Sequence, residues 1–400
     1  MPGPVVHLIP HTHWDREWYL TRAGFLARLV PMLDDLLDRL EREAGFRSFL
    51  LDGQTVLLED YLRVRPDRRA RVAALVAAGR LQVGPWYILA DELIPSGESL
   101  VRNLLAGAED AARLGGRLDV LYCPDAFGHP AILPALAAEF GIGHAALWRG
   151  LGGAAGQERD LYRWRAPDGR EVTLYHLPPD GYEIGAALPA GWARMRAVLA
   201  ARAASRHLGV LVGADHHAAH PALAAAVEEI SAAEPDATVR VSRLDEFLAG
   251  AAAEADGAAV IEGELRWSYG YTWTLQGVHG TRAALKRRHS LAELALERVA
   301  EPLVALALAR GVADSRAVLG EAWRTLLRSQ FHDSIAGCTS DPVARRVEAR
   351  IEDAAALAEE VARRSADALI GNDPDLARAQ PALVAPALVV WNPAARARSG

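Results

Sequence analysis

The chain has 400 residues, 51% of them hydrophobic and 24% charged, an ordinary globular mix that excludes a disordered or collagen-like polypeptide. Its formal net charge of −7 argues against nucleic acid as a partner, because neutralising a phosphate backbone calls for a basic surface. Two cysteines, Cys123 and Cys338, exclude a disulfide framework and a thiolate metal site, and a single lysine, Lys286, leaves lysine-dependent chemistry one candidate.

The first residues, MPGPVVHLIPHTHWDREW, carry neither a basic n-region nor an apolar h-region. No apolar run approaches the roughly 20 residues of a bilayer span. The expectation is a cytoplasmic protein with no membrane partner. Apolar runs at 5–9 (VVHLI), 46–51, 81–83, 120–123, 145–147 and 210–212 read as buried strands. Helical patterns at 24–42, 54–80, 100–113 and 132–140 lie between them. This alternation predicts an α/β domain over 1–262 with a mostly parallel sheet. Pro167-Asp168-Gly169 predicts a hairpin inserted at 163–175. Beyond residue 262 the texture changes to three long apolar-periodic stretches at 281–310, 316–329 and 341–370, which predict a three-helix bundle over 263–373. A breaker cluster at 371–374 follows, and the tail over 374–400 reads as a strand and turn.

Polar clusters crowd the ends of the predicted strands, where open α/β sheets and barrels place ligands. His11, His13, Asp15 and Glu17 follow the first strand, with Trp14 and Trp18 among them. His13 and Asp15 are two apart and point to one side of an extended strand end. An imidazole and a carboxylate suit Zn, Co or Mn, although a lone His-x-Asp is more often a polar loop. Asp125 follows the strand at 120–123 in PDAFGH, which also reads as a turn. Asp215 follows the strand at 210–212 in GADHH, where it also serves as a helix cap. His216, His217 and His220 beside it read more readily as surface or supporting histidines than as a second metal site. His332 and Asp333 close a bundle helix, where they also complement its dipole. Together these clusters supply four convergent metal ligands and the pair of carboxylates a glycosidase requires.

The segments HLIPHTHWDREW, PDAFGHPAILPALAAEFGI and FHDSIAGC resemble signature blocks of the glycoside hydrolase family 38 α-mannosidases. LDGQ, LQVGPWYILADELIPSGESLVRNLLAG and TLQGVHGTRAALKRRHSLAELALE resemble further blocks, in the family's order. The resemblance implies a barrel-like α/β catalytic domain, a three-helix bundle and then β-sandwich domains, so that 374–400 is the start of a truncated one. It implies one divalent metal, zinc above cobalt or manganese, on His13, Asp15, Asp125 and His332. It implies Asp125 as nucleophile and Asp215 as general acid of a retaining hydrolase of terminal α-mannosides, on an oligosaccharide or a mannosyl conjugate. Trp18, Trp86, Asp91 and Asp333 are the implied sugar contacts. Trp14, where animal members carry Asn, points to the bacterial branch. The apolar bundle faces and tail predict self-association into a homo-oligomer. Two other readings use the same residues. His11-Thr12-His13 resembles the opening of a metal-dependent amidohydrolase or deacetylase, and a truncated module could bind metal or sugar without turnover.

Overall fold

The computed structural model describes all residues except 1–2, 152–158, 256, 268–275, 384, 386–387, 391, 393–395 and 397–400. They form two compact units, Met1–Thr281 with Gln330–Val343, and Arg282–Ser329 with Ala344–Gly400.

The first unit is α/β. Its strands are β1 (Val5–Thr12), β2 (Phe49–Leu51), β3 (Leu81–Gln82), β4 (Val120–Cys123), β5 (His144–Leu147), β6 (Leu161–Arg165), β7 (Glu171–His176), β8 (His207–Val212), β9 (Thr238–Val241) and β10 (Val260–Glu262). One sheet runs β3-β2-β1-β8 with β9 also paired to β1, and every pairing in it is parallel. The other runs β10-β6-β7-β5-β4 and is parallel except for the β6–β7 hairpin, which turns at the anticipated Pro-Asp-Gly. The mostly parallel α/β fold is therefore as expected, but the barrel-like form is corrected: among the described residues two sheets form and no ring closes. The terminal strands β3 and β10 are only two and three residues long, too short to carry a ladder onward. β1 is buried along its whole length, as a parallel strand covered on both faces must be.

The helical pattern over 54–80 is broken in the structure into Val56–Val64, a 3-10 turn at Pro66–Arg68, and Arg69–Ala77. Pro66 has no N–H to continue the ladder. β9 and β10 were not anticipated, because half-exposed TVRV and three-residue VIE present too little apolar periodicity. The helix Gly97–Leu114 is capped by Ser96, whose hydroxyl accepts from Ser99 N–H, and ends at left-handed Gly115. Its Gly107 lets the backbone of residues 85–87 approach so closely that a Cβ would lie 2.1 Å from the Pro85 carbonyl oxygen. Asn103 on the same helix accepts from the N–H groups of Tyr87 and Ile88 at 2.9 and 3.0 Å.

The second unit contains the expected helices. Ala283–Ala295 and Glu301–Ala309 are joined through a π-helical turn, and Arg316–Leu327 and Asp341–Ile370 follow. The segment carrying His332, expected within this helical region, folds instead with the first unit. Backbone hooks explain it: Asp91 N–H donates to Gln330 O at 3.1 Å, His332 N–H to Leu89 O at 3.0 Å, and Ser340 N–H to Trp18 O at 3.1 Å. Buried Ser334 adds a 2.7 Å bond from its hydroxyl to Glu17 Oε1. The strand expected over residues 382–391 falls partly outside the described residues. Among the described residues no helix is long and apolar enough to cross a membrane.

Candidate active site

The carboxyl ends of β1 and β8 are fused by backbone bonds. His13 N–H donates to Ala214 O at 3.3 Å, and His216 N–H donates to His13 O at 2.8 Å. The fusion needs Gly213, where a Cβ would sit 2.0 Å from His11 O. It brings the HTHWD and GADHH segments into one site, and His216 accepts φ = 55° at this junction.

His13, Asp15, Asp125 and His332 converge there. His13 Nε2 lies 3.2 Å from Asp15 Oδ1, His332 Nε2 lies 3.4 Å from the same oxygen and 3.5 Å from Asp125 Oδ2. Tetrahedral zinc with bonds of about 2.0–2.1 Å separates neighbouring ligands by about 3.3–3.4 Å, so these spacings suit a metal. His13 Nε2, Asp15 Oδ1 and His332 Nε2 are all buried without a hydrogen-bond partner, which native structures rarely tolerate. The opposite ring nitrogens are held: His13 Nδ1–H donates to Asp52 Oδ1 at 3.0 Å and His332 Nδ1–H to Leu89 O at 3.2 Å. This leaves each Nε2 facing inward, as a ligating imidazole requires. Asp15 Oδ2 faces His216 Nε2 at 3.2 Å.

The electrostatics agree. Burial lowers both imidazoles, yet Asp52 and Asp15 raise His13 well above its usual range, and Asp333, Asp125 and Asp15 hold His332 at about 9. The carboxylates thus favour positive charge at this site, as a divalent ion would supply. Burial also opposes ionisation of Asp125, but Arg149 beside it, with His332 and His13, brings it down to about 2. Arg149 Nε donates to Asp125 Oδ1 at 3.1 Å, and its guanidinium lies 4.3 Å from the Trp148 ring centroid. Burial raises Asp333, whose Oδ1 accepts from the Cys338 thiol at 2.9 Å.

A cavity of about 560 Å³ opens beside this cluster. Asp15, Asp125, Asp333, Asp215, Tyr182 and Glu183 line it, with Trp18 and Trp148 as aromatic surfaces. Tyr182 Oη donates to Asp215 Oδ1 at 2.9 Å. The expected Asp125, Asp215, Trp18 and Asp333 therefore share one cavity. Trp86 and Asp91 are not among the described residues that line it. Trp86 is fully buried, and buried Asp91 accepts from Leu93 and Ile94 N–H, tying down its own turn. Glu92, its neighbour, accepts from His129 Nδ1 at 2.7 Å and fixes the far end of the loop that carries Asp125. His220 bonds to Leu188 O and His217 is exposed, so neither joins a metal cluster.

Sequence reasoning passed over Asp52, Arg149, Tyr182 and Glu183. Arg149 lies two residues past β5 and Asp52 one past β2, both strand-end positions open to the same argument that found Asp125. Tyr182 and Glu183 sit on a short 3-10 turn, Gly181–Glu183, which carries no strand-end signal.

Parallel sheets with a metal-ready cluster and paired carboxylates at their strand ends define a glycosidase-type α/β fold. The chain belongs to glycosyl hydrolase family 38: the family's N-terminal domain matches residues 4–266, and the alpha mannosidase middle domain matches residues 273–369. It is 33% identical over 366 residues to a putative mannosylglycerate hydrolase of Halalkalibacterium halodurans, covering 86% of this chain and 40% of that protein. It is 24% identical to human alpha-mannosidase 2C1 over 92% of this chain and 35% of that one. The crystal structure of an alpha-mannosidase from Enterococcus faecalis superposes with a TM-score of 0.88 at 31% identity, over 92% of this chain and 43% of that chain. The chain thus spans well under half the length of these relatives.

Proposed function

We propose that this chain carries the catalytic centre of a retaining, metal-dependent glycosidase that releases terminal α-D-mannosyl residues from an oligosaccharide or mannosyl conjugate. The observation that carries the reading is the convergence of four candidate ligand side chains, three of their inward atoms unpartnered, beside a cavity that Asp125 and Asp215 both line. His13, Asp15, Asp125 and His332 would hold one divalent ion, most suitably zinc with cobalt or manganese as substitutes, and the ion would supply a Lewis-acid anchor for sugar hydroxyls.

Asp125 attacks the anomeric carbon. It is suited to this because Arg149 keeps it ionised and fixes one of its oxygens. Asp215 donates a proton to the leaving oxygen and then removes one from the water that releases the sugar. Tyr182 holds Asp215 Oδ1 and so aims the other oxygen. Trp18 and Trp148 offer apolar faces to the ring. The amidohydrolase reading has less support: among the described residues His13 belongs to a convergent group of ligand atoms and His11 belongs to none.

The test is hydrolysis of nitrophenyl α-mannoside by zinc-loaded protein. Turnover is expected to vanish in Asp125→Asn. In Asp215→Asn it should fall most for poor leaving groups, since nitrophenolate needs little protonation. Equal losses on both substrate types would remove Asp215 from the acid role, and cleavage of an acetamide but no mannoside would overturn the reading.

A further inference from the structure

Resting on the reading of Asp125 as nucleophile, we propose that Glu92 and His129 are positioning residues for it: with Cys123 they clamp both ends of the segment that carries Asp125.

Asp125 stands on residues 124–128, which form neither helix nor strand. A side chain on such a segment is held less closely than one on a regular element, so its placement depends on how the ends are fixed. Here both ends meet one carboxyl. Cys123, the last residue of β4, hydrogen-bonds Glu92 through its thiol, and His129 Nδ1–H donates to Glu92 Oε2 at 2.7 Å. A Glu92 oxygen, Cys123 Sγ and a His129 ring nitrogen lie within 4.8 Å of one another, and all three residues are buried. A buried carboxyl that loses such a donor has no water to replace it, so the clamp resists opening.

The backbone reinforces it. His129 exchanges N–H to O bonds with Leu265 at 2.8 and 2.9 Å. Gly128 lies so close to Leu93, the neighbour of Glu92, that a Cβ would sit 2.7 Å from Leu93 Cδ1.

The turn that carries Glu92 also holds His332. Leu89 O accepts from His332 N–H at 3.0 Å and from its Nδ1–H at 3.2 Å. Phe127, inside the clamped segment, stands edge-on to the His332 ring with centroids 5.6 Å apart. Residues 89–92 thus bracket Asp125 and His332 together. Neither Glu92 nor His129 is among the described residues lining the cavity, so their effect on the sugar passes through Asp125.

The experiment compares wild type, His129→Leu and His129→Asn, each zinc-loaded. Cleavage of dinitrophenyl α-mannoside reports attack by Asp125, because this leaving group needs little protonation. Ground-state binding is read by calorimetric titration with uncleavable phenyl 1-thio-α-D-mannoside. His129→Leu removes the tie to Glu92 and should lower kcat/KM about 10- to 100-fold, the cost of a reacting group misplaced by about 1 Å. Binding of the thiomannoside should change less than about twofold, since the lost interaction acts on the attack and not on the bound sugar. In His129→Asn the amide nitrogen takes the place of Nδ1. It forgoes only Nε2, which is buried without a hydrogen-bond partner, so kcat/KM should return to within about threefold of wild type. If His129→Leu does not fold, His129→Gln replaces it: its amide reaches the Nε2 position, and the same loss is expected. Undiminished kcat/KM in the Leu or Gln variant overturns the inference. So does an Asn variant as impaired as they are, or a loss of thiomannoside binding that equals the loss in kcat/KM. These outcomes leave the mannosidase reading intact, whereas wild type that cleaves no mannoside overturns that reading and this inference with it.

Discussion

Asp52 accepts the Nδ1 proton of His13 at 3.0 Å, and both side chains are fully buried. Its second oxygen accepts from Trp14 N–H and from Gln54 Nε2, each at 2.8 Å. One carboxylate therefore sets the ring orientation of His13 and the backbone of the residue after it. Asp52 adopts φ = 54°, a conformation that Asn also tolerates, so Asp52→Asn tests charge without straining the backbone. Zinc affinity, read by chelator competition, should fall roughly 10- to 100-fold. Unchanged affinity would show that the His13 ring is oriented by packing alone.

Tyr182→Phe removes the hydroxyl that holds Asp215 Oδ1. On mannosides with poor leaving groups kcat should drop about 10- to 100-fold, the scale of a misaligned general acid. Nitrophenyl α-mannoside should be affected far less. A matching loss on both would point to a collapsed cavity wall instead of a misaimed proton donor.

Gly213→Ala forces a Cβ against His11 O, which lies 2.0 Å from its ideal position, and only backbone movement relieves it. The unfolding free energy should fall by about 2 kcal/mol or more, in the range of severe steric insertions, and zinc affinity should fall with it. Gly45→Ala is the control, since nothing lies within 4 Å of its Cβ. A Gly213→Ala protein with unaltered denaturation midpoint would mean that the β1–β8 junction yields easily.

Asp160 gives a pH signature remote from the cavity. Burial pushes its carboxyl up to about 6, although Ala204 N–H at 2.9 Å and Arg202 favour its charge. The folded state therefore binds this proton more tightly than the unfolded chain. Its stabilising contribution is complete below pH 3.8 and is lost as pH rises through 6, with a ceiling of about 3 kcal/mol. Asp160→Asn stays neutral throughout. Relative to wild type its melting temperature should be higher at pH 7.5 than at pH 4, and an offset independent of pH would exclude this titration.

Strand ends were the legible part of the site. HTHWD, PDAFGH and GADHH each follow an apolar run, and that local signal singled out His13, Asp15, Asp125 and Asp215, which the fold brings together. The number of sheets was not legible, because closure depends on whether terminal strands are long enough to pair, and β3 and β10 are read from only two and three residues. Nor was the partnership of Arg149 with Asp125 or of His216 with Asp15, which depends on which strands are neighbours and not on any spacing along the chain. Trp86 and Asp91 sit in a block full of aromatic and acidic residues; Trp86 is fully buried, and Asp91 accepts from Leu93 and Ile94 N–H.

The chain leaves the first unit after Thr281 and comes back at Gln330 to bring in His332. Ser334 and Glu17, which clasp this return, are 317 positions apart. Loop-closure entropy grows only logarithmically with such a span, so equilibrium stability barely registers it. Chain growth does register it. A nascent polypeptide that has yet to expose residue 332 carries His13, Asp15 and Asp125 but not the fourth member of the cluster. The helices between 282 and 329 are therefore synthesised before the four side chains can meet.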